Sequence, residues 1–278
     1  MSRPTYRVIC LGGTTESWPG DKRKQVTGLL AHVTEQLHPD QFEPVWAGYS
    51  ACGFGLGPVS FTDSINAGVQ ALLDALCADD RPAIVLGYSQ GASAVTELLR
   101  DLHCGAYADI KPLVMAAYLF ANPERPQGPS IGNAPHYGVA LDPHETNVVD
   151  YGIPVIEVAH PDDCISGAHP DSLVRLFVER TKFSTFGDPI AFGNNLLHKI
   201  RNHNWRQDVT RLRQIPGAYA NFHRSATEAL GFITGKHTVS YILENVPGRG
   251  VSYVDWVAYL IEDRYGDDVV TTVGETAA

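Results

Sequence analysis

Hydrophobic and polar positions along the chain fall into blocks of two kinds. Short, nearly unbroken apolar runs occur at Tyr6 to Leu11, Phe42 to Trp46, Ile84 to Leu86, Leu113 to Phe120 and Pro154 to Ala159. These runs read as strands, and Leu113 to Phe120, continuously apolar, is what a parallel strand covered on both faces requires. Between them, apolar residues recur at helical spacing. Lys22 to Leu37 places Val26, Leu29, Leu30, Val33 and Leu37 on one face, and Ser60 starts a second helix that continues through Leu76. The alternation predicts an α/β fold with a doubly wound, mainly parallel sheet.

From Ser172 to Lys236 the pattern turns helical, most clearly at Asp171 to Phe177, Phe192 to Ile200 and Ala218 to Phe232. The expectation is a single domain over 1–278 carrying a lid-like helical insertion at 172–236, packed over one end of the sheet. A last helix is expected from Val254 to Tyr265, and the Asp267 to Ala278 tail is expected to fray. A chain of 278 residues is long enough for such a domain and its core.

The formal net charge of −10, with no basic run, argues against a nucleic-acid partner. No apolar stretch reaches the roughly 18 residues of a membrane span. The opening residues pass directly into a strand without the apolar core of a signal peptide, so the expectation is a protein made in the cytoplasm without an export signal. Five cysteines show no CxxC pairing and leave one over, which favours free thiols over a disulfide framework. Eleven histidines raise the question of a metal, but there is no HExxH, and His198, His203 and His223 lack a carboxylate in ligand spacing. No metal or organic cofactor is expected.

The chemistry concentrates at Gly87-Tyr-Ser-Gln-Gly91. An apolar strand runs into Gly-x-Ser-x-Gly and straight out into a helix, the pattern of a nucleophile elbow. Gly87 and Gly91 are needed because a β-carbon at either place would meet the strand or the helix, and the turn exposes the Ser89 hydroxyl. The helix N-terminus directs the Gln90 N–H at a developing oxyanion. A plain βα turn of a nucleotide-binding sheet is the alternative, although the further glycines and Lys-Ser/Thr pair of a phosphate loop are missing.

A serine nucleophile needs a histidine base, and that base needs a carboxylate. With the nucleophile on an elbow, the chain order is Ser, then Asp or Glu, then His. Asp163 follows the last apolar strand, where such a carboxylate belongs. Asp162 is its neighbour, and spacing alone leaves both open. His237, in a Gly-containing loop, is the candidate base, with His160, His169 and His223 as rivals. Gly13-Thr-Thr-Glu16 follows the first strand, where the Thr14 N–H, with its hydroxyl as an optional second donor, is expected to complete an oxyanion hole with Gln90; an ordinary Gly-rich βα turn is the alternative.

Gly87-Tyr-Ser-Gln-Gly91 together with Gly13-Thr-Thr-Glu16 resembles the cutinase-like branch of the α/β-hydrolases, in which a Gly-Ser/Thr-Thr/Gly-Glu loop carries the oxyanion hole. The long segment between Asp163 and His237, together with Phe120-Ala-Asn-Pro-Glu-Arg-Pro126, is more similar to the mycobacteriophage lysin B family. That resemblance implies a serine esterase cutting the ester between mycolic acids and arabinogalactan of the bacterial envelope, late in phage lysis. It implies a Ser89–Asp163–His237 triad and an oxyanion hole at Thr14 and Gln90, in a protein that acts on the envelope after release. A monomer without stable membrane insertion is expected, since neither an exposed amphipathic surplus nor a membrane-length apolar stretch is evident. A long acyl chain would fit an apolar groove under the insertion, with Phe183, Phe186, Phe192, Leu196, Leu197 and Trp205 as linings or, alternatively, as core. A cutinase-like lipase acting on generic lipid or polyester substrates is the other reading.

Overall fold

Five strands form one sheet: β1 (Tyr6–Leu11), β2 (Phe42–Trp46), β3 (Ala83–Tyr88), β4 (Val114–Phe120) and β5 (Val155–Val158). Their order is β2-β1-β3-β4-β5 and every neighbouring pair is parallel. The structure, a computed structural model, describes residues 4–51, 59–142, 144–175, 178 and 218–266. The expected doubly wound parallel sheet is therefore observed. The chain steps from β1 to β2 on one side and returns to β3 on the other, which opens a crevice beyond the carboxyl ends of β1 and β3.

Because side chains alternate along a strand, each central strand feeds two cores. Val8, Cys10, Ile84, Leu86, Tyr118 and Phe120 pack toward α1 (Ala31–Thr34) and α7 (Tyr253–Tyr265). Ile9, Leu11, Val85, Ala117 and Leu119 pack toward α2 (Phe61–Cys77) and α3 (Gln90–His103). Each Val, Leu or Ile taken fully out of water contributes about 1.5–3 kcal/mol, so both faces of the sheet anchor the strand ends that bear the site. Helix α2 starts where its sequence signal lies, with Ser60 Oγ accepting the Asp63 N–H.

The first expected helix is much shorter than Lys22 to Leu37. Only a 3₁₀ turn at Gly28–Leu30 and the four residues of α1 form. Gly28 takes a φ of +67°, and Arg23 is tied to the Asp21 carboxylate and the Glu16 carbonyl, so the preceding residues fold as a loop. Val26, Leu29, Leu30, Val33 and Leu37 are buried nonetheless. The apolar spacing marked a buried segment whose backbone is mostly irregular.

After β5 come α4 (Cys164–Gly167), α5 (Ala218–Ile233) and α6 (Val239–Leu243). Arg125, fully buried in the loop after β4, donates from Nε to the Ser166 carbonyl at 2.7 Å and from Nη2 to the Ala134 carbonyl at 3.2 Å, which locks that loop to α4. Within the expected insertion, Leu173 to Arg175 and α5 are helical. Phe192 to Ile200, the candidate groove residues Phe183, Phe186, Phe192, Leu196, Leu197 and Trp205, and the tail from Asp267 lie outside the described residues.

Candidate active site

Strand β3 ends at Tyr88 and α3 begins at Gln90, leaving Ser89 as the single residue of the turn. Ser89 adopts φ +53° and ψ −115°, a conformation that side-chain-bearing residues rarely enter. Two bonds hold it there: Ser89 N–H donates to the Phe120 carbonyl at 2.9 Å, and the Ser89 carbonyl accepts the Ser93 N–H at 3.2 Å. The flanking glycines are sterically required. A β-carbon at Gly87 would lie 2.7 Å from Ala92 Cα, and one at Gly91 would lie 2.3 Å from the Leu11 carbonyl oxygen. Close packing of β1, β3 and α3 thus sets the residue types on both sides of the serine.

His237 occupies a tight turn between α5 and α6. Gly235, at φ +94°, ends the preceding helix, and the Tyr88 hydroxyl donates to the His237 carbonyl at 3.0 Å, fixing the backbone over β3. Its ring lies between Tyr88 and Phe232, at centroid distances of 5.5 and 5.2 Å. Nε2 is 2.7 Å from Ser89 Oγ, and Nδ1 is 3.1 Å from Asp163 Oδ1 and 3.2 Å from Oδ2. The serine, histidine and aspartate singled out from the sequence meet in one hydrogen-bonded chain.

Asp163 follows β5 and caps α4, accepting the Ile165 N–H at 3.0 Å. The Tyr241 hydroxyl donates to Oδ2 at 2.8 Å and Ser166 Oγ does so at 3.0 Å. Burial of this fully enclosed carboxyl pushes its pKa up, but the adjacent His237 and the converging N–H and O–H donors outweigh burial and bring it below the usual value. Asp162 points elsewhere: its side chain is 68% exposed and lies 3.7 Å from Lys236 Nζ. Of the rival histidines, His160 pairs with Glu244 at 3.0 Å, His169 Nδ1 lies 3.0 Å from Arg224 Nη1, and His223 is within α5.

The loop after β1 lies against the elbow. A β-carbon at Gly13 would come within 2.8 Å of the Tyr88 ring and 3.2 Å of Ser89 Cβ, so only glycine lets the Gly13-Thr14 peptide approach the nucleophile. Thr14 Oγ1 donates to Gln90 Oε1 at 3.1 Å, and Gln90 Nε2 donates to Ser64 Oγ at 2.7 Å. Thr14 and Gln90 are thus side by side at the N-terminus of α3, beside Ser89.

Sequence reasoning missed Tyr241, Ser166 and the internal bonds of Glu16. Ser166 had a local signal, since Asp-x-x-Ser favours side-chain contacts across one turn. Tyr241, four residues after His237, reaches Asp163 only through the tertiary fold. Residues next to Asp163 and His237, namely Asp162 and Lys236, help line a cavity of about 530 Å³ with Leu230 and Gly231 of α5. Among the described residues no group of three or more His, Cys, Asp or Glu side chains is placed to hold a metal ion. No described helix is long and apolar enough to cross a membrane.

Comparison with solved structures finds the fold of this chain matched over nearly its whole length. Lysin B from Mycobacteriophage D29 superposes with a TM-score of 0.53 at 17% identity, covering 94% of this chain and 100% of that one. The fold is that of a cutinase-like α/β-hydrolase. Also similar are the catalytic core domain of acetyl xylan esterase from Trichoderma reesei (TM-score 0.48, 20% identity, 64% of this chain and 94% of that one) and a cutinase-like protein from Cryptococcus sp. (TM-score 0.45, 15% identity, 85% and 96%). In sequence, residues 38–140 match the PE-PPE domain. That segment of the cutinase-like fold holds β2, β3, the elbow and β4, while Gly13–Glu16, Asp163 and His237 lie beyond it. No curated protein matches the chain in sequence.

Proposed function

We propose that this protein is a serine esterase that uses Ser89, His237 and Asp163. The observation that carries the reading is the unbroken chain of contacts from Ser89 Oγ to His237 Nε2 at 2.7 Å and from His237 Nδ1 to Asp163 at 3.1 Å. In the first half-reaction His237 Nε2 takes the hydroxyl proton as Ser89 Oγ bonds to the acyl carbon. Asp163 keeps the ring in the required tautomer and stabilises the imidazolium. The oxyanion is held by the Thr14 and Gln90 amides. Collapse of the intermediate breaks the ester C–O bond, and His237 returns its proton to the departing alkoxide. A water, deprotonated by the same nitrogen, then attacks the acyl-enzyme and releases a carboxylic acid.

For the substrate we infer an ester between mycolic acid and arabinogalactan, met at the envelope after release during lysis. This reading is supported by the Gly-Tyr-Ser-Gln-Gly and Gly-Thr-Thr-Glu motifs and by a lysin B-like fold over 94% of the chain. The test is release of free mycolic acids from purified mycolyl-arabinogalactan, with tributyrin in parallel, by the wild type and by Ser89→Ala. Release by the wild type and none by the variant is the expected result. Cleavage of tributyrin alone would leave a general cutinase-like esterase and discard the envelope substrate. Full biological effect of Ser89→Ala would remove the enzyme reading altogether.

A further inference from the structure

Glu16 ends the turn that carries Thr14, its N–H donating to the Gly13 carbonyl at 3.0 Å, and then folds its carboxylate back beneath that turn. Oε2 accepts the Gly13 N–H at 2.7 Å and Oε1 accepts the Leu29 N–H at 3.3 Å. Two glycines make the space that the carboxylate fills. A β-carbon at Gly12 would lie 2.8 Å from Oε2, and one at Gly28 only 1.9 Å from Oε1. The turn above is not relaxed: Thr15 sits at φ +70°, held by its N–H to the Ala51 carbonyl at 3.0 Å. Removing the carboxylate would leave two amides without their acceptor beneath a strained loop that touches Ser89.

We propose that Glu16 is a positioning residue of the oxyanion loop, its carboxylate binding the Gly13 and Leu29 amides so that the Gly13-Thr14 peptide is held against Ser89. By engaging the Gly13 N–H, Glu16 directs the next amide, that of Thr14, to the developing oxyanion. The inference rests on the esterase reading for its catalytic consequence, though its structural half stands without it. Carboxylate is suited to the task because one planar group accepts from two separate backbone donors, and bonds to a charged acceptor are the stronger kind. A glutamine keeps one acceptor oxygen and loses the other, whereas alanine loses both.

The experiment compares wild type, Glu16→Gln and Glu16→Ala on a soluble short-chain ester. It also measures affinity for a trifluoromethyl ketone, whose adduct with Ser89 carries an oxyanion, and hydrogen exchange at the Gly13 amide. For Glu16→Ala the expectation is a fall in kcat of about 10- to 100-fold with KM nearly unchanged, since a small misplacement of a catalytic donor costs rates of this order. Ketone affinity should fall by the same factor, Gly13 exchange should accelerate, and Glu16→Gln should be intermediate in all three. Unchanged kcat and ketone affinity in Glu16→Ala, or a loss of kcat with ketone affinity intact, would overturn the proposal. If the wild type neither hydrolyses the ester nor binds the ketone, the esterase reading fails on its own. Gly13 exchange then decides the rest: acceleration in Glu16→Ala upholds the loop-holding role, and no change refutes it.

Discussion

Tyr241 donates its hydroxyl to Asp163 Oδ2 at 2.8 Å, while His237, one turn earlier in the chain, meets the same carboxylate through Nδ1. The same tyrosine oxygen accepts the His160 N–H at 3.0 Å. Tyr241→Phe therefore removes a donor to a buried anion and strands a buried amide. A loss of about 1–3 kcal/mol in unfolding free energy is expected, read by denaturant titration at neutral pH. Turnover should fall as well, because the carboxylate is left freer to rotate away from His237. Wild-type stability in the variant would refute the dual role.

Substitution at the two neighbouring aspartates should separate sharply. Asp163→Asn presents an amide to His237 and favours the wrong ring tautomer, so kcat is expected to fall by roughly 10⁴. Asp162 is exposed and 3.7 Å from Lys236, and exposed pairs contribute about 1 kcal/mol at most. Asp162→Asn should therefore retain both turnover and melting temperature. Steady-state kinetics on a soluble ester with both variants checks this, and equal losses would contradict the assignment.

Much of this was legible in the chain. Largely apolar runs marked the strands because a parallel sheet covers both faces of its central strands, although the edge strand β2 leaves Glu43 and Pro44 exposed, and the elbow was visible because Gly87 and Gly91 are demanded by backbone contacts. What could not be read locally depends on closure of the tertiary structure. Asp162 and Asp163 occupy the same strand end, and only the capping of α4 turns one inward. Tyr241 and Glu16 act through bonds that no spacing rule encodes. Lys22 to Leu37 was misread as a full helix because burial produces the same apolar spacing whether or not the backbone is helical.

Gly91 offers a test of the elbow's steric logic. Its missing β-carbon would fall 2.3 Å from the Leu11 carbonyl oxygen and 2.7 Å from that of Gly12. Both are backbone atoms at the end of a central strand, so neither can rotate aside as a side chain would. Gly91→Ala should cost about 3 kcal/mol or more. The same change at Gly105, where nothing lies within 4 Å, adds no clash and suffers only its φ of +91°. Thermal unfolding of the two variants should rank Gly91→Ala as the more damaging, and the reverse order would refute the packing argument.

Glu157 gives the chain a pH response independent of the triad. It lies in β5, buried against α3, with Oε1 accepting from Asn122 Nδ2 at 3.0 Å while Oε2 is without a partner among the described residues. Burial pushes its pKa up to about 8, against partial relief from Asn122 and from nearby Arg125. Since the folded value exceeds the unfolded one, the neutral carboxyl's contribution to stability is fully present below about pH 4.5 and is lost as pH rises through about 8. Glutamine reproduces the neutral shape and cannot ionise. Glu157→Gln should therefore match the wild type near pH 4 and exceed it near pH 9, by an amount on the order of a few kcal/mol. Melting temperatures across that range measure the difference, and curves that stay parallel would show that Glu157 does not titrate in this window.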